Sequence, residues 1–254
     1  MAISRIGPSS FDFGVGIDHL DQEGRVVTLR FDERNITIIG DYTPCSRIGI
    51  VPERRKQHER AVVELINREQ TRSGGTKVIY VADRNVAPTN YDVDTTLMKD
   101  HASTIAPSLM DEERALHAKF KADTGLQDAY LTLHGQNGKQ GHTWFSRHNN
   151  NPAYPTSSRI DFVLCQHKDI GAYSLVRSVE ILNFRTSDHR GLLARITDPI
   201  ATQGAATTNS STMDAPMMAA STIADPLCDY ADDTLPIMTV LRKVFSAIRR
   251  TTKF

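Results

Sequence analysis

Asp161, Asp188 and His189 are the residues from which chemistry could start. The run Arg159-Ile160-Asp161-Phe162-Val163-Leu164 alternates strictly, with Ile160, Phe162 and Leu164 on one face and Arg159, Asp161 and Val163 on the other. That is the period of a half-buried strand, and it makes Asp161 a strand-borne carboxylate. Further on, Ser187-Asp188-His189 sets a carboxylate beside an imidazole just before the apolar run 191–196. If the two strands pair, Asp161 can orient the ring of His189 and Asp188 is free to hold a hard cation. Other polar residues fall where strands end: Tyr42 after one, Asp83 and Asn85 after the next. Residues just past the strand ends of an open α/β sheet converge on one crevice, so this is the distribution expected of an active site assembled across a sheet.

The elements that must position these residues follow from the pattern. Residues 14–17 form a short apolar stretch that reads as a strand. Residues 25–31 and 35–40 read as the two arms of a hairpin, ended by Pro44, which cannot continue a ladder. From 52 to 70 the period changes: Ala61, Val62, Leu65 and Ile66 recur at helical spacing, while Arg54, Arg55, Lys56, Arg60 and Arg68 read as a solvated face. Ser73-Gly74-Gly75 stops that helix, and 77–82 reads as a buried strand. Residues 88–107 are polar and irregular, a loop. A second helix is expected from Ser108, with Asp111, Glu112 and Glu113 in its first turn and Gly125 at its end. Strands are expected over 126–133, 142–146, 173–182 and 191–196, with a glycine-rich turn at 135–138 and a loop at 149–158. Strands and helices mix without a clean βαβ repeat, which favours an α/β sandwich over a Rossmann-type sheet.

Composition bounds the rest. The chain has 254 residues, long enough for a substantial core. Thirty basic residues cancel thirty acidic ones, so any phosphate-binding surface must be local. Cys45, Cys165 and Cys228 are far apart and odd in number, which argues against a disulfide framework or a zinc site and fits a reducing compartment. No apolar run approaches membrane-spanning length and no secretory signal is evident, so an intracellular protein, nuclear or cytoplasmic, with no membrane partner is expected. Residues 201–225 are dominated by Ala, Thr, Ser, Gln, Asn and Met, and read as a linker or disordered segment. The division expected is a domain over 1–197 and a linker and tail over 198–254, with a helix at 235–248.

Five segments in order resemble the motifs of the exonuclease III-like endonuclease/exonuclease/phosphatase superfamily, which includes apurinic endonucleases and LINE-type retrotransposon endonucleases. Gly40-Asp41-Tyr42-Thr43-Pro44 resembles its strand ending in Tyr-x-Pro, and Ala82-Asp83-Arg84-Asn85 its Gly-Asp-x-Asn. Thr143-Trp144 resembles its Thr-Trp strand. Arg159-Ile160-Asp161 and Ser187-Asp188-His189 resemble its Arg-Ile-Asp and Ser-Asp-His, with a spacing closest to the retrotransposon branch. The resemblance implies a two-sheet α/β sandwich of the DNase I-like type and metal-assisted hydrolysis of a phosphodiester in nucleic acid, DNA being the expected partner. In that scheme Asp188 helps hold magnesium, with manganese an alternative. His189, oriented by Asp161, contacts the scissile phosphate or transfers a proton; Asp83 positions or deprotonates the attacking water; Asn85 donates to a phosphate oxygen; Tyr42 stabilises developing charge. Trp144, the single tryptophan, is expected to pack in the core rather than stack on a base.

The departures are equally specific. The family opens with a strand carrying an asparagine and another carrying a metal-binding glutamate, and neither has a counterpart here, so the sandwich is expected to lack its first strands and to have unpaired edges. Ala82 stands for the usual glycine, Arg84 for an apolar residue and Cys45 for a common asparagine. Three readings follow: a phosphodiesterase whose missing ligands come from another chain or from Asp12 or Asp18; an inactive retroelement-derived fragment that at most binds nucleic acid; or a phosphatase using the same residues.

Overall fold

The computed structural model describes residues 7–96, 106–136, 138–146, 155–183, 187–197 and 234–235. Along the chain run β1 (Ser10–Phe13), the single-turn α1 (Asp18–Asp21), β2 (Val26–Phe31), β3 (Ile36–Tyr42), α2 (Glu53–Thr71) and β4 (Lys77–Asp83). They are followed by β5 (Val93–Asp94), α3 (Asp111–Thr124), β6 (Leu126–Asp128), α4 (Ala129–His134), β7 (Trp144–Phe145), β8 (Ser157–Ser158), β9 (Asp161–Gln166), β10 (Val176–Leu182), β11 (Gly191–Thr197) and β12 (Thr234–Leu235).

The central sheet has the order β1-β2-β3-β4-β9-β6, with β3 and β4 parallel and the other pairs antiparallel. One of its faces is covered by helices: Ala61, Val62, Leu65 and Ile66 of α2 and Phe120 of α3 pack on Ile39, Tyr80, Ala82, Phe162 and Leu164. The other face packs on α4 and on the second sheet, β10-β11-β12, through Ile38, Ile79, Val163, Val176, Val179, Leu192 and Ile196. A third, small sheet, β5-β8-β7, lies beside the ends of these strands. The architecture is a sheet-on-sheet α/β sandwich, as expected.

Several local expectations are corrected. Residues 14–17 are not a strand; the strand precedes them as β1, and Gly14 and Gly16 take positive φ in a loop whose amides at 15–17 donate to the Asp21 carboxylate. β9 is not half-buried: its two faces enter the two cores, which is why Asp161 through Cys165 are all buried. The strand expected over 126–133 stops at Asp128, whose carboxylate accepts from the Leu131 amide at 3.1 Å and caps α4. The second helix starts at Asp111, not at Ser108, with Glu113 reaching back to the Met110 amide, and it ends as expected with Gly125 at φ 68°. The expected linker and tail over 198–254, with its helix at 235–248, lie outside the described residues except for Thr234 and Leu235, which form β12 and pair with Thr197 and Ile196. β1 is an edge of the sheet and carries Phe11 and Phe13 on its exposed surface.

Candidate active site

The site is a row across the central sheet. Register places Tyr42 beside Asp83, and Asp83 opposite Asp161, so β3, β4 and β9 each contribute one residue. Alternation then decides the face. Ile38, Ile79 and Val163 point toward the second sheet, and Tyr42, Asp83 and Asp161, an even number of residues away, point the same way. His189 meets them from that side, in the segment leading into β11. Its Nδ1 lies 2.9 Å from Asp161 Oδ2, and its Nε2 lies 4.0 Å from Asp83 Oδ2. Asp161 thus orients the ring as expected, but across two sheets rather than through pairing of their strands, since β9 and β11 are not neighbours.

The Thr-Trp segment is what brings the two sheets' residues together. Thr143 Oγ1, fully buried, accepts from the amides of Ile160 and Asp161, both at 3.1 Å. On its other side the same segment holds the His189 loop: the Phe145 amide donates to the Asp188 carbonyl at 2.8 Å and the Arg190 amide to the Thr143 carbonyl at 2.6 Å. Trp144 is half-buried and bridges His189 through its backbone, so its contribution here is to position the loop.

Asn85 sits at φ 48° immediately after β4. Its amide N–H donates to Asp83 Oδ1 at 3.0 Å, and its side-chain Nδ2 donates to the Thr43 carbonyl at 2.8 Å, tying the ends of β3 and β4 together. Arg25, which the sequence did not single out, donates to the Tyr42 carbonyl at 3.1 Å and places its guanidinium 4.9 Å from the centre of the Tyr42 ring. An arginine just before a strand carries no local signal of such a stack.

The electrostatics are those of a charge cluster held under tension. Burial and then the facing Asp161 push the Asp83 carboxyl up to about 7, against the fields of His189 and the Asn85 amide. For His189, burial disfavours the charged ring, but Asp161, Asp83 and Asp188 outweigh it and raise it to about 9. Asp83, Asp161 and His189 bring one ligand atom each within 4.8 Å of one another, the donor cluster found among the described residues. Asp188 adds its field at His189 without belonging to that set. Asp12 is not part of it either: its carboxylate pairs with Arg30 on the β1 edge.

The donor chemistry fits a hard divalent cation. Asp83 and Asp161 offer carboxylate oxygens of the kind such a cation takes, and Asp188 adds negative charge nearby.

The fold is a sandwich of the DNase I-like type. In sequence and in fold the chain resembles exonuclease III-like members of the endonuclease/exonuclease/phosphatase superfamily. It is 31% identical over 128 residues to an exodeoxyribonuclease of Bacillus subtilis, a match covering 50% of this chain and 47% of that protein. The matched stretch is thus about half the length of that relative. Among solved structures, the 3′ phosphatase NExo from Neisseria bound to a product DNA hairpin superposes with a TM-score of 0.59 at 21% identity, covering 77% of this chain and 72% of that one. The apurinic endonuclease of Leishmania major gives 0.54 at 23% identity, covering 66% and 53%. No family model matches the chain. Among the described residues no helix is long and apolar enough to cross a membrane.

Proposed function

We propose that this chain hydrolyses phosphodiester bonds in nucleic acid, DNA being the expected substrate, at the row Tyr42, Asp83, Asp161 with His189 against it. The observation that carries the reading is Asp83 and Asp161 buried directly opposite each other with His189 beside both. Like charges at facing positions cost stability, and such a pair is retained where it does chemistry. Names of similar proteins support the substrate class: an exodeoxyribonuclease, a 3′ phosphatase bound to DNA and an apurinic endonuclease.

In this reading Asp83 orients the attacking water and takes its proton. His189, kept cationic by Asp161, binds the scissile phosphate and gives a proton to the leaving oxygen. Asn85, its amide held by the Thr43 carbonyl, presents its second N–H to a phosphate oxygen, and the Tyr42 hydroxyl stabilises charge as it develops. Asp188 would help to hold a divalent cation beside the carboxylates of Asp83 and Asp161, and the bound cation would neutralise charge on the phosphate. Removal of a terminal phosphate is a second reading, favoured by the likeness to a 3′ phosphatase. Retroelement ancestry rests on motif spacing alone.

The test is nicking of supercoiled plasmid and of an abasic-site duplex, and dephosphorylation of a 3′-phosphate hairpin, with magnesium or manganese. Turnover should fall at least about a hundredfold in a D188A/H189A variant. No turnover above that variant by folded protein overturns the hydrolase reading. The pH dependence of kcat/KM should be a bell: rising as Asp83 ionises near 7 and falling as His189 loses its proton near 9, both values belonging to the coupled cluster. Raising the cation concentration should move the acidic limb to lower pH, since a bound cation favours the ionised carboxylates. A profile flat from 6 to 10 would refute these assignments.

A further inference from the structure

Arg55 is fully buried near the start of α2 and makes contacts out of proportion to a helix-surface residue. Its Nη1 donates to the Pro44 carbonyl at 3.3 Å and the Asn85 carbonyl at 3.2 Å, and its Nη2 to the Arg84 carbonyl at 3.0 Å. Pro44 lies two residues past Tyr42; Arg84 and Asn85 follow Asp83 directly. One guanidinium therefore grips, from beneath the sheet, both of the turns by which β3 and β4 deliver their site residues. Its charge is balanced by Glu113 of α3 at 3.0 Å and by Glu59 at 3.4 Å, so the grip is also anchored to both helices.

We propose that Arg55 is a positioning residue for hydrolysis: by holding these carbonyls it fixes the left-handed turn at Asn85 and the spacing of Tyr42 from Asp83. The inference rests on the hydrolytic reading of the site. The physical argument is one of geometry. The Asn85 conformation is one that non-glycine residues adopt at a cost and keep only where surroundings determine it. Here three bonds do so: its amide to Asp83, its side chain to Thr43, and its carbonyl to Arg55. Only the last comes from outside the site. The planar guanidinium reaches all of these acceptors from one fixed position, its Nη1 sharing two N–H groups among the Pro44 and Asn85 carbonyls and the Glu113 carboxylate while Nη2 serves the Arg84 carbonyl, whereas a lysine ammonium, a single point charge without the fork, cannot span them.

The experiment compares R55K, which keeps the charge opposite Glu113, with E69Q. Glu69 is also on α2, buried and paired with Arg30 of β2, about 21 Å along the helix from Arg55. R55K should lower kcat roughly ten- to a hundredfold with KM within about twofold, because misplacement of reacting groups acts on the chemical step. E69Q should lower thermal stability and leave kcat per folded molecule unchanged. Amide hydrogen exchange provides a readout that needs no turnover. In R55K, exchange at Thr43, whose amide donates to the Asp83 carbonyl, and at Asn85 should accelerate at least tenfold, while amides at Ile39 and Ile79 in the strand interiors hold their protection. Wild-type kcat in folded R55K with unchanged exchange at Thr43 and Asn85 would overturn the proposal. Faster exchange in a protein whose wild type never cleaves would uphold the positioning role and reject the hydrolase reading instead.

Discussion

Replacing Asp83 by asparagine should make the protein more stable and nearly inactive at the same time. The folded site raises this carboxyl from its ordinary 3.8 to about 7, first because the side chain is buried and then because Asp161 faces it. The sign follows from linkage. Between about pH 4 and 7 the folded protein holds a proton that the unfolded chain has released, so stability falls as pH rises through this window. Above 7 both states are ionised and the whole penalty is present; below about 4 there is none. At about 1.4 kcal/mol per pKa unit, and with part of the shift shared by the coupled partners, the penalty at pH 8 is about 2–4 kcal/mol. D83N removes it while keeping the side chain's shape and an oxygen to accept from the Asn85 amide. We therefore expect D83N to raise the melting temperature at pH 8 by roughly 5 °C or more, to leave it unchanged at pH 4, and to lower kcat by roughly 10² to 10⁴. Thermal scans at the two pH values and the cleavage assay read both halves. A variant destabilised at pH 8 would mean that Asp83 is ionised and satisfied in the native protein, and that the facing carboxylates are not in conflict.

The residues of this row were legible in the sequence because each is announced locally. Tyr42 precedes a proline, Asp83 and Asn85 close an apolar run, Asp161 takes a polar place in an alternating one, and His189 precedes another apolar run. Their assembly was not legible, because the register that aligns Tyr42, Asp83 and Asp161 is a property of three strands distant in sequence. The same limit explains the error over β9. Alternation of apolar with polar residues implies a wet face only if nothing covers it, and the covering β10 and β11 come later in the chain. It also explains Arg55, whose place among the charges of α2 reads as solvated until Glu113, from another helix, is seen beside it.

Arg84 carries that argument to its largest effect on stability. The family pattern leads one to expect an apolar side chain at this position, and the structure shows why an arginine is tolerated: it is fully buried on the helix-covered face, directly beneath the site. Its Nη2 donates to Glu59 at 2.7 Å, its Nη1 to the Tyr80 hydroxyl at 3.2 Å, and its guanidinium lies 3.8 Å from the centre of the Phe120 ring. Tyr80 in turn donates to Asp41 at 2.6 Å, and Asp41 pairs with His58, whose partnership, with that of Tyr80 and Arg84, outweighs burial and holds the Asp41 carboxyl below its usual range. Removing the arginine alone leaves Glu59 with only the more distant Arg55 and strips Asp41 of a compensating charge. R84M should therefore cost about 3–5 kcal/mol, the range for breaking a buried pair from one side. Removing both charges should cost less than the sum, because what is expensive is the orphaned partner and not the absence of the pair. In a double-mutant cycle, E59Q/R84M should recover at least about 1 kcal/mol relative to the added single effects, measured by urea unfolding. Strict additivity would mean that Glu59 is served by Arg55 well enough to be indifferent to Arg84. In that case the apolar residue of the family pattern would be the more stable choice, and R84M would cost little.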